Sequence, residues 1–204
     1  MDSANRHTSF ATDRVLLAAI TGPEACAQLP GDVAMLRQLD RSGSRQAHAS
    51  RLAAALSRAA TTNIFAIQDV TSGAVLGFTG FSTIIPEEKR ATLAPIWSTG
   101  RMDEAMLVSH VAHLMTRFAF EVLAVERAEL HLEWRLRRNL DLYTGLGFRC
   151  EGRLRAYFAT DDGRSADAAS LSVVRSEWPA IADRQRQVLA GEAWRGRLPS
   201  DRPS

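Results

Sequence analysis

The strongest constraint on the fold is a long amphipathic stretch after residue 101. Met102, Met106, Val111, Leu114, Met115, Phe118 and Val122 recur at helical spacing. A Pro-bounded apolar segment, Leu93–Trp97, precedes it. Arg127–Glu133 follows, where Ala128, Leu130 and Leu132 alternate with Glu129, His131 and Glu133 as in a half-exposed strand. Strand, helix and returning strand form a unit that needs a sheet to pack against. The junction Trp97-Ser98-Thr99-Gly100-Arg101-Met102 is short. A strand that turns tightly into a helix leaves several N–H groups aimed at one spot, at the positive end of the helix dipole. Ser98 and Thr99 offer hydroxyls, Arg101 a fixed charge, and Gly100 a close approach to the backbone. These residue types predict a pyrophosphate-binding turn. A plain helix start capped by Ser98 or Thr99 fits the same residues.

The remaining chain supplies the sheet. Val15–Ile20 reads as a buried strand ended by Thr21-Gly22-Pro23, and short helical stretches follow at Glu24–Leu29 and Val33–Leu39. Ser44 is placed to cap a helix over Arg45–Ala59 with Ala49, Leu52, Ala53 and Leu56 on its apolar face. Asn63–Val70 and Ala74–Phe81 flank Thr71-Ser72-Gly73 as a hairpin. A short helix over Arg138–Leu146 ends at Gly147, and Arg149–Ala159 pairs with Ala166–Val174 in a second hairpin. Residues 1–12 are polar and expected to be disordered, 13–179 form one domain, and 180–204 are a charged helical tail, partly disordered. The expected class is α/β (α+β): a mixed, mostly antiparallel sheet flanked by helices on both faces.

Composition narrows the function classes. A net charge of +2 is too small to argue for nucleic acid or a membrane surface. Lys89 is the only lysine among 25 basic residues, a pattern that looks like GC-rich coding rather than a functional device. Cys26 and Cys150 lack metal-type spacing and read as reduced thiols, so a cytoplasmic protein is expected. His110 and His113 share a helix face without a third ligand at suitable spacing, so no metal is expected.

The segment Leu142-Tyr143-Thr144-Gly145-Leu146-Gly147-Phe148-Arg149-Cys150-Glu151-Gly152-Arg153-Leu154-Arg155 resembles the LY-x-x-x-GF-x-x-EG-x-L-R signature of the GNAT acetyltransferase superfamily. The form is that of ribosomal-protein-alanine and sugar-nucleotide N-acetyltransferases. Asp162-Gly163-Arg164, Asp167 and Val174–Trp178 look like the same branch's ending, and the likeness spans roughly residues 13–179. It implies the GNAT fold, acetyl-CoA as acyl donor, a small-molecule or peptide amine as acceptor, and no nucleic-acid or membrane partner. Homodimers are common in the family.

The resemblance also assigns uses to residues. Trp97–Met102 corresponds to the family's Gln/Arg-x-x-Gly-x-Gly/Ala pyrophosphate loop, with Glu104-Ala105 after it. Only Gly100 keeps the pattern; Trp97 replaces a polar residue and Met102 a small one, so the loop is degenerate. Leu136 stands where a cofactor-binding asparagine is usual, and Asn139 is either its substitute or a helix cap. Ala91-Thr92 replaces the common Ala-Glu of the preceding strand. Tyr143 occupies the place of a general acid toward the departing thiolate, whose free pKa is about 8.5. His131 and Glu133, two apart on one strand, are candidates for the base that takes the amine proton. Glu87 and Glu88 lie near the expected substrate loop. Arg135, Arg137 and Arg138 are placed for the adenosine 3′-phosphate; a solvated basic turn fits them equally well. A GNAT-fold protein that binds a ligand or partner without catalysis is the alternative.

Overall fold

Trp97 and Ser98 lie in the middle of the sheet rather than at its end. A computed structural model of the chain describes residues 10–20, 37–39 and 64–191. Its strands are β1 (Phe10–Ala11), β2 (Val15–Ala19), β3 (Arg37–Gln38), β4 (Ile64–Asp69), β5 (Val75–Ile85), β6 (Arg90–Leu93), β7 (Trp97–Ser98), β8 (Arg127–Glu133), β9 (Arg149–Ala159) and β10 (Ser165–Val174). They pair in the order β1-β2-β4-β5-β6-β8-β10-β9, with β7 bonded to both β3 and β5. Every pair is antiparallel except β6 with β8.

The expected strand over Leu93–Trp97 is split. Strand β5 pairs first with β7 (Gly77 opposite Ser98) and later with β6 (Phe81 opposite Leu93). Residues 94–96 step out between them, where Pro95 has no N–H to donate; the Ala94 amide still reaches the Gly80 carbonyl at 2.8 Å. Likewise, Val33–Leu39 is not helical at its described end: Arg37–Gln38 is a strand on β7. Phe10, within the polar N-terminal stretch, is buried. The expected stretches at 24–29 and 45–59, and Cys26, lie outside the described residues.

Helix α1 (Glu104–Glu121) buries Leu107, Val108, Val111, Ala112, Leu114, Met115, Ala119 and Phe120 against the sheet. Met106, the second residue of the expected stripe, and Val122, its last, are exposed. Phe118 anchors β1, β4 and β5 through edge-on or tilted contacts with Phe10, Phe65 and Phe81, at centroid distances of 5.1, 5.2 and 5.7 Å. Such pairs add about 0.5–1.5 kcal/mol each beyond area burial. Two further helices lie beside α1: α2 (Arg137–Gly145) and α3 (Trp178–Leu189). Helix α3 buries Trp178, Ile181 and Gln185, so the beginning of the charged tail is part of the core. Gln185 links the three helical regions, its Oε1 accepting from His113 Nδ1 at 3.1 Å and its Nε2 donating to the Leu146 carbonyl at 3.0 Å. None of the described helices is long and apolar enough to cross a membrane.

Candidate functional site

Parallel pairing between β6 and β8 covers only Arg90–Arg127, Ala91–Ala128 and Thr92–Glu129. Beyond Thr92 the first strand leaves at residues 94–96, while β8 runs on to Glu133 with β10 on its other side. The two strands therefore splay, and a cleft opens between them. One wall is Leu93, Ala94, Pro95 and Ile96, the other Leu130, His131 and Leu132. Val111, Ala112 and Met115 of α1 and Asn139 and Tyr143 of α2 complete it. Its free volume is about 20 Å³, room for about one water.

Tyr143 is 7% exposed and meets the Phe148 ring edge-on at 5.3 Å. Alternation along β8 sends Leu130 and Leu132 into the core with α1 and turns Glu129, His131 and Glu133 to the opposite face. Tyr143 thus approaches the splay from one side of the sheet and the His131 side chain from the other. The expected half-exposed strand is more deeply covered than its alternation suggests. Glu129 and Glu133 are buried, because neighbouring strands lay side chains over that face.

An ionic ladder provides part of this cover. Glu129 accepts from Arg90 Nη1 at 3.3 Å, Thr92 Oγ1 at 3.2 Å and Arg127 Nε at 2.8 Å. Arg127 also grips Glu151 with two hydrogen bonds, of 2.8 and 2.5 Å. Burial pushes the Glu129 carboxyl up, but the Arg127 guanidinium and Thr92 outweigh it and hold the group below its ordinary value. The Glu129 carboxylate thus stands beside Thr92. Glu88, expected near a substrate loop, is paired with Arg90.

His131 has a different neighbour. Its ring stacks on Tyr157 of β9 at 4.8 Å, and the Tyr157 hydroxyl is 3.3 Å from Nδ1. Burial lowers the His131 pKa, opposed by Glu129. Burial and the Glu129 charge raise that of Tyr157. Sequence reasoning missed Tyr157; the available signal is that the chain has just two tyrosines, one at each side of the splay.

The turn before α1 is used differently from the expectation. Asp103, not Ser98 or Thr99, is the N-cap, its carboxylate accepting from the Met106 amide at 3.0 Å. The Ser98 hydroxyl accepts from the Gly100 amide at 3.0 Å, and the Thr99 hydroxyl donates to the Leu76 carbonyl at 3.0 Å. Trp97 and Ser98 are buried. Gly100, at φ +76°, faces open space, Arg101 is exposed and Met102 is half-buried against the core. An anion at this turn would meet the first amides of α1 and Arg101, but also the Asp103 and Glu104 carboxylates.

Helix α2 has the opposite character. Its N-cap, Leu136, makes no side-chain bond and its first turn holds no acid. Arg135, Arg137 and Arg138 are all exposed there, Arg137 lying 4.4 Å from the Trp134 ring centroid. Asn139 is not a cap. It is buried in the first turn, donating to the Leu39 carbonyl at 2.6 Å and to Glu104 Oε1 at 3.2 Å. His110 and His113 are committed to Thr12 and Gln185, and burial lowers both pKa values. Among the described residues no group of three or more His, Cys, Asp or Glu is arranged to hold a metal ion.

Solved structures share this architecture. A GCN5-related N-acetyltransferase from Brucella melitensis superposes with a TM-score of 0.69 at 23% identity, over 91% of this chain and 87% of its own. A GNAT-family protein from Chromobacterium violaceum gives 0.66 at 21% identity, over 85% and 89%. The spermidine/spermine N-acetyltransferase SpeG from Vibrio cholerae gives 0.61 at 15% identity, over 83% and 98%. No protein-family model and no curated protein sequence matches the chain. The fold is the GNAT fold.

Proposed function

We propose that the chain is an N-acyltransferase that moves an acetyl group from acetyl-CoA to an amine. The observation that carries this reading is the splay after Thr92 and Glu129, with Tyr143 and His131 reaching its cleft from opposite sides. In this reading the two strands part further to admit the thioester to the splay, whose cleft as it stands holds about one water, and the amine attacks its carbonyl carbon directly. His131 takes the amine proton, with Glu133 beside it on the same strand face, and the Tyr143 phenol donates to the departing sulfur. Among the described residues no cysteine lines the cleft, which supports direct attack over a covalent acyl-enzyme. The acceptor is a small-molecule or peptide amine.

Acyl-donor contacts divide between two turns. Around Trp97, Ser98, Thr99, Gly100, Arg101 and Met102, the ligand-facing groups are Gly100, Arg101 and the first α1 amides. Arg138, with Arg135 and Arg137, serves the phosphate of the adenosine end, and Asn139 holds the two helix starts together through Glu104.

A second reading has one specific observation in its favour. Asp103 places a carboxylate where a pyrophosphate would bind, as suits a GNAT-fold protein that binds a ligand or partner without catalysis.

Thermal denaturation with saturating CoA and acetyl-CoA separates the two. Binding at one hundred times the dissociation constant gives about 2.7 kcal/mol, or roughly 5–10 °C in Tm for a chain of this size. No shift at millimolar ligand removes the acetyl-CoA reading. Where a shift is seen, Tyr143→Phe should keep it and lower transfer to a screened amine by about 10²–10⁴-fold.

A further inference from the structure

Tyr157 lies on β9, the last strand of the sheet, yet it touches a residue two strands away. Between them β10 presents Ser170 opposite His131 and Ala168 opposite Glu133. Residues of this size leave room for a ring to lie across them. The Tyr157 ring does so, stacking on His131 at 4.8 Å with its hydroxyl 3.3 Å from Nδ1. A local irregularity allows the reach: Ala156 has φ +52°, and the β9–β10 register shifts between Ala166 and Ala168. The Asp167 carboxylate fixes that bend by accepting from the Ala156 amide at 2.8 Å and from Arg153. Tyr157 keeps 49% of its surface exposed, so neither burial nor core packing explains a bulged strand that aims it at an imidazole.

We propose that Tyr157 is the positioning residue for His131: its hydroxyl accepts the Nδ1–H, which holds the imidazole in the tautomer with a bare Nε2 toward the cleft. The inference rests on the acyl-transfer reading for its use but not for its geometry. As the amine nitrogen bonds to the thioester carbon, one of its N–H bonds breaks and the proton goes to Nε2; the C–S bond breaks and the sulfur leaves as the CoA thiol with the Tyr143 proton, which that phenolate regains from water. The imidazolium that forms keeps its Nδ1–H on the Tyr157 oxygen, and the proton leaves to water from Nε2 after the amide product departs. No electrons are exchanged. The groups that act on the ring are Arg127 and Glu129 on its own strand and Tyr157 on β9; on the elements packed against it, Arg90 on β6 binds Glu129, Arg153 and Arg155 on β9 act on Asp167 of β10, and Glu133 follows on its own strand. Burial keeps the imidazole neutral near neutral pH, and the same environment keeps the phenol protonated. A hydrogen bond to the charged form also favours proton uptake.

Long-range proton–nitrogen NMR of the uniformly ¹⁵N-labelled full chain tests this with no acyl donor or amine present. A His131→Asn variant assigns the signal. At neutral pH the expected state of His131 is a protonated Nδ1 with an unprotonated Nε2. In Tyr157→Phe, which retains the stacked ring, the ratio should move several-fold toward the Nε2–H form and the imidazole pKa should fall. A wild-type His131 carrying its proton on Nε2, or a ratio and pKa unchanged in Tyr157→Phe, overturns the proposal. Because no ligand is present, that failure leaves the acyl-transfer reading standing. A missing CoA thermal shift with the expected tautomer does the reverse.

Discussion

Asn139 Nδ2 lies 3.2 Å from Glu104 Oε1, joining the first turn of α2 to the first turn of α1. The same nitrogen donates to the Leu39 carbonyl at 2.6 Å, in a site where Asn139 is buried. One amide therefore holds three segments at the end of the splay. Asn139→Ala should destabilise the chain by about 1–3 kcal/mol, the cost of leaving a buried acceptor unpaired. Urea denaturation measures it, and an effect below a few tenths would show that water replaces the amide at no cost.

Asp103 both caps α1 and opposes an anion, and two substitutions separate these roles. Asp103→Ala removes the bond to the Met106 amide and should cost about 0.5–2 kcal/mol. Asp103→Asn keeps an acceptor there and removes the charge, so stability should change little. If CoA phosphates sit at this turn, its binding should tighten several-fold in Asp103→Asn, read by calorimetric titration. Equal affinity in wild type and Asp103→Asn would move the phosphates elsewhere.

Gly77 and Gly100 require glycine for different reasons. A Cβ at Gly77 would stand 1.9 Å from the Trp97 carbonyl oxygen and 3.3 Å from the Ser98 Cα, all backbone of the paired strand β7. Gly100 has open space around it but a φ of +76°. Gly77→Ala should therefore push β7 away, with a loss at or above the roughly 1–3 kcal/mol typical of overpacking. Gly100→Ala should cost only about 1–2 kcal/mol of left-handed backbone strain. Should denaturation midpoints rank the two variants the other way, the close approach of β5 to β7 is not what Gly77 serves.

Local patterns made some of this legible. The spacing from Met102 to Phe118 locates α1, alternation over Ala128–Leu132 locates β8, and the turns at Gly147 and Gly163 delimit α2 and the last hairpin. What failed depends on partners distant in sequence. Arg37–Gln38 is a strand because β7 lies beside it, and two residues carry no periodicity of their own. Ser98 and Thr99 read as hydroxyl donors to a ligand or, alternatively, one of them as a cap, but β7 holds Ser98 in the sheet, Leu76 takes the Thr99 hydroxyl, and the helix start is capped by Asp103. Glu129 reads as solvated, yet Arg90 and Arg127 bind it. Tyr143, which lines the cleft, stands out in the sequence through its motif. Tyr157 does not, since its contact with His131 depends on a bulge and on small residues across β10.

Glu151 makes the ladder sensitive to acid. Hydrogen bonds from Arg127 and Ser172 hold its carboxyl at about 2 in the folded chain, below its ordinary value of 4.5. Between these values the unfolded chain binds more protons than the folded one, so stability rises with pH. The contribution of Glu151 is fully present above about pH 4.5 and is lost as the pH falls toward about 2. Its side chain is 37% exposed, so solvent screening keeps the total below what the shift alone implies. Glu151→Gln isolates it from Glu129, Asp162 and Asp167, which are also lowered. The stability gap between wild type and Glu151→Gln should be widest near neutral pH and narrow steadily below about pH 4.5. Denaturant midpoints across that range measure it. A gap that stays constant with pH would mean that the Arg127–Glu151 pair adds no titration-linked stability.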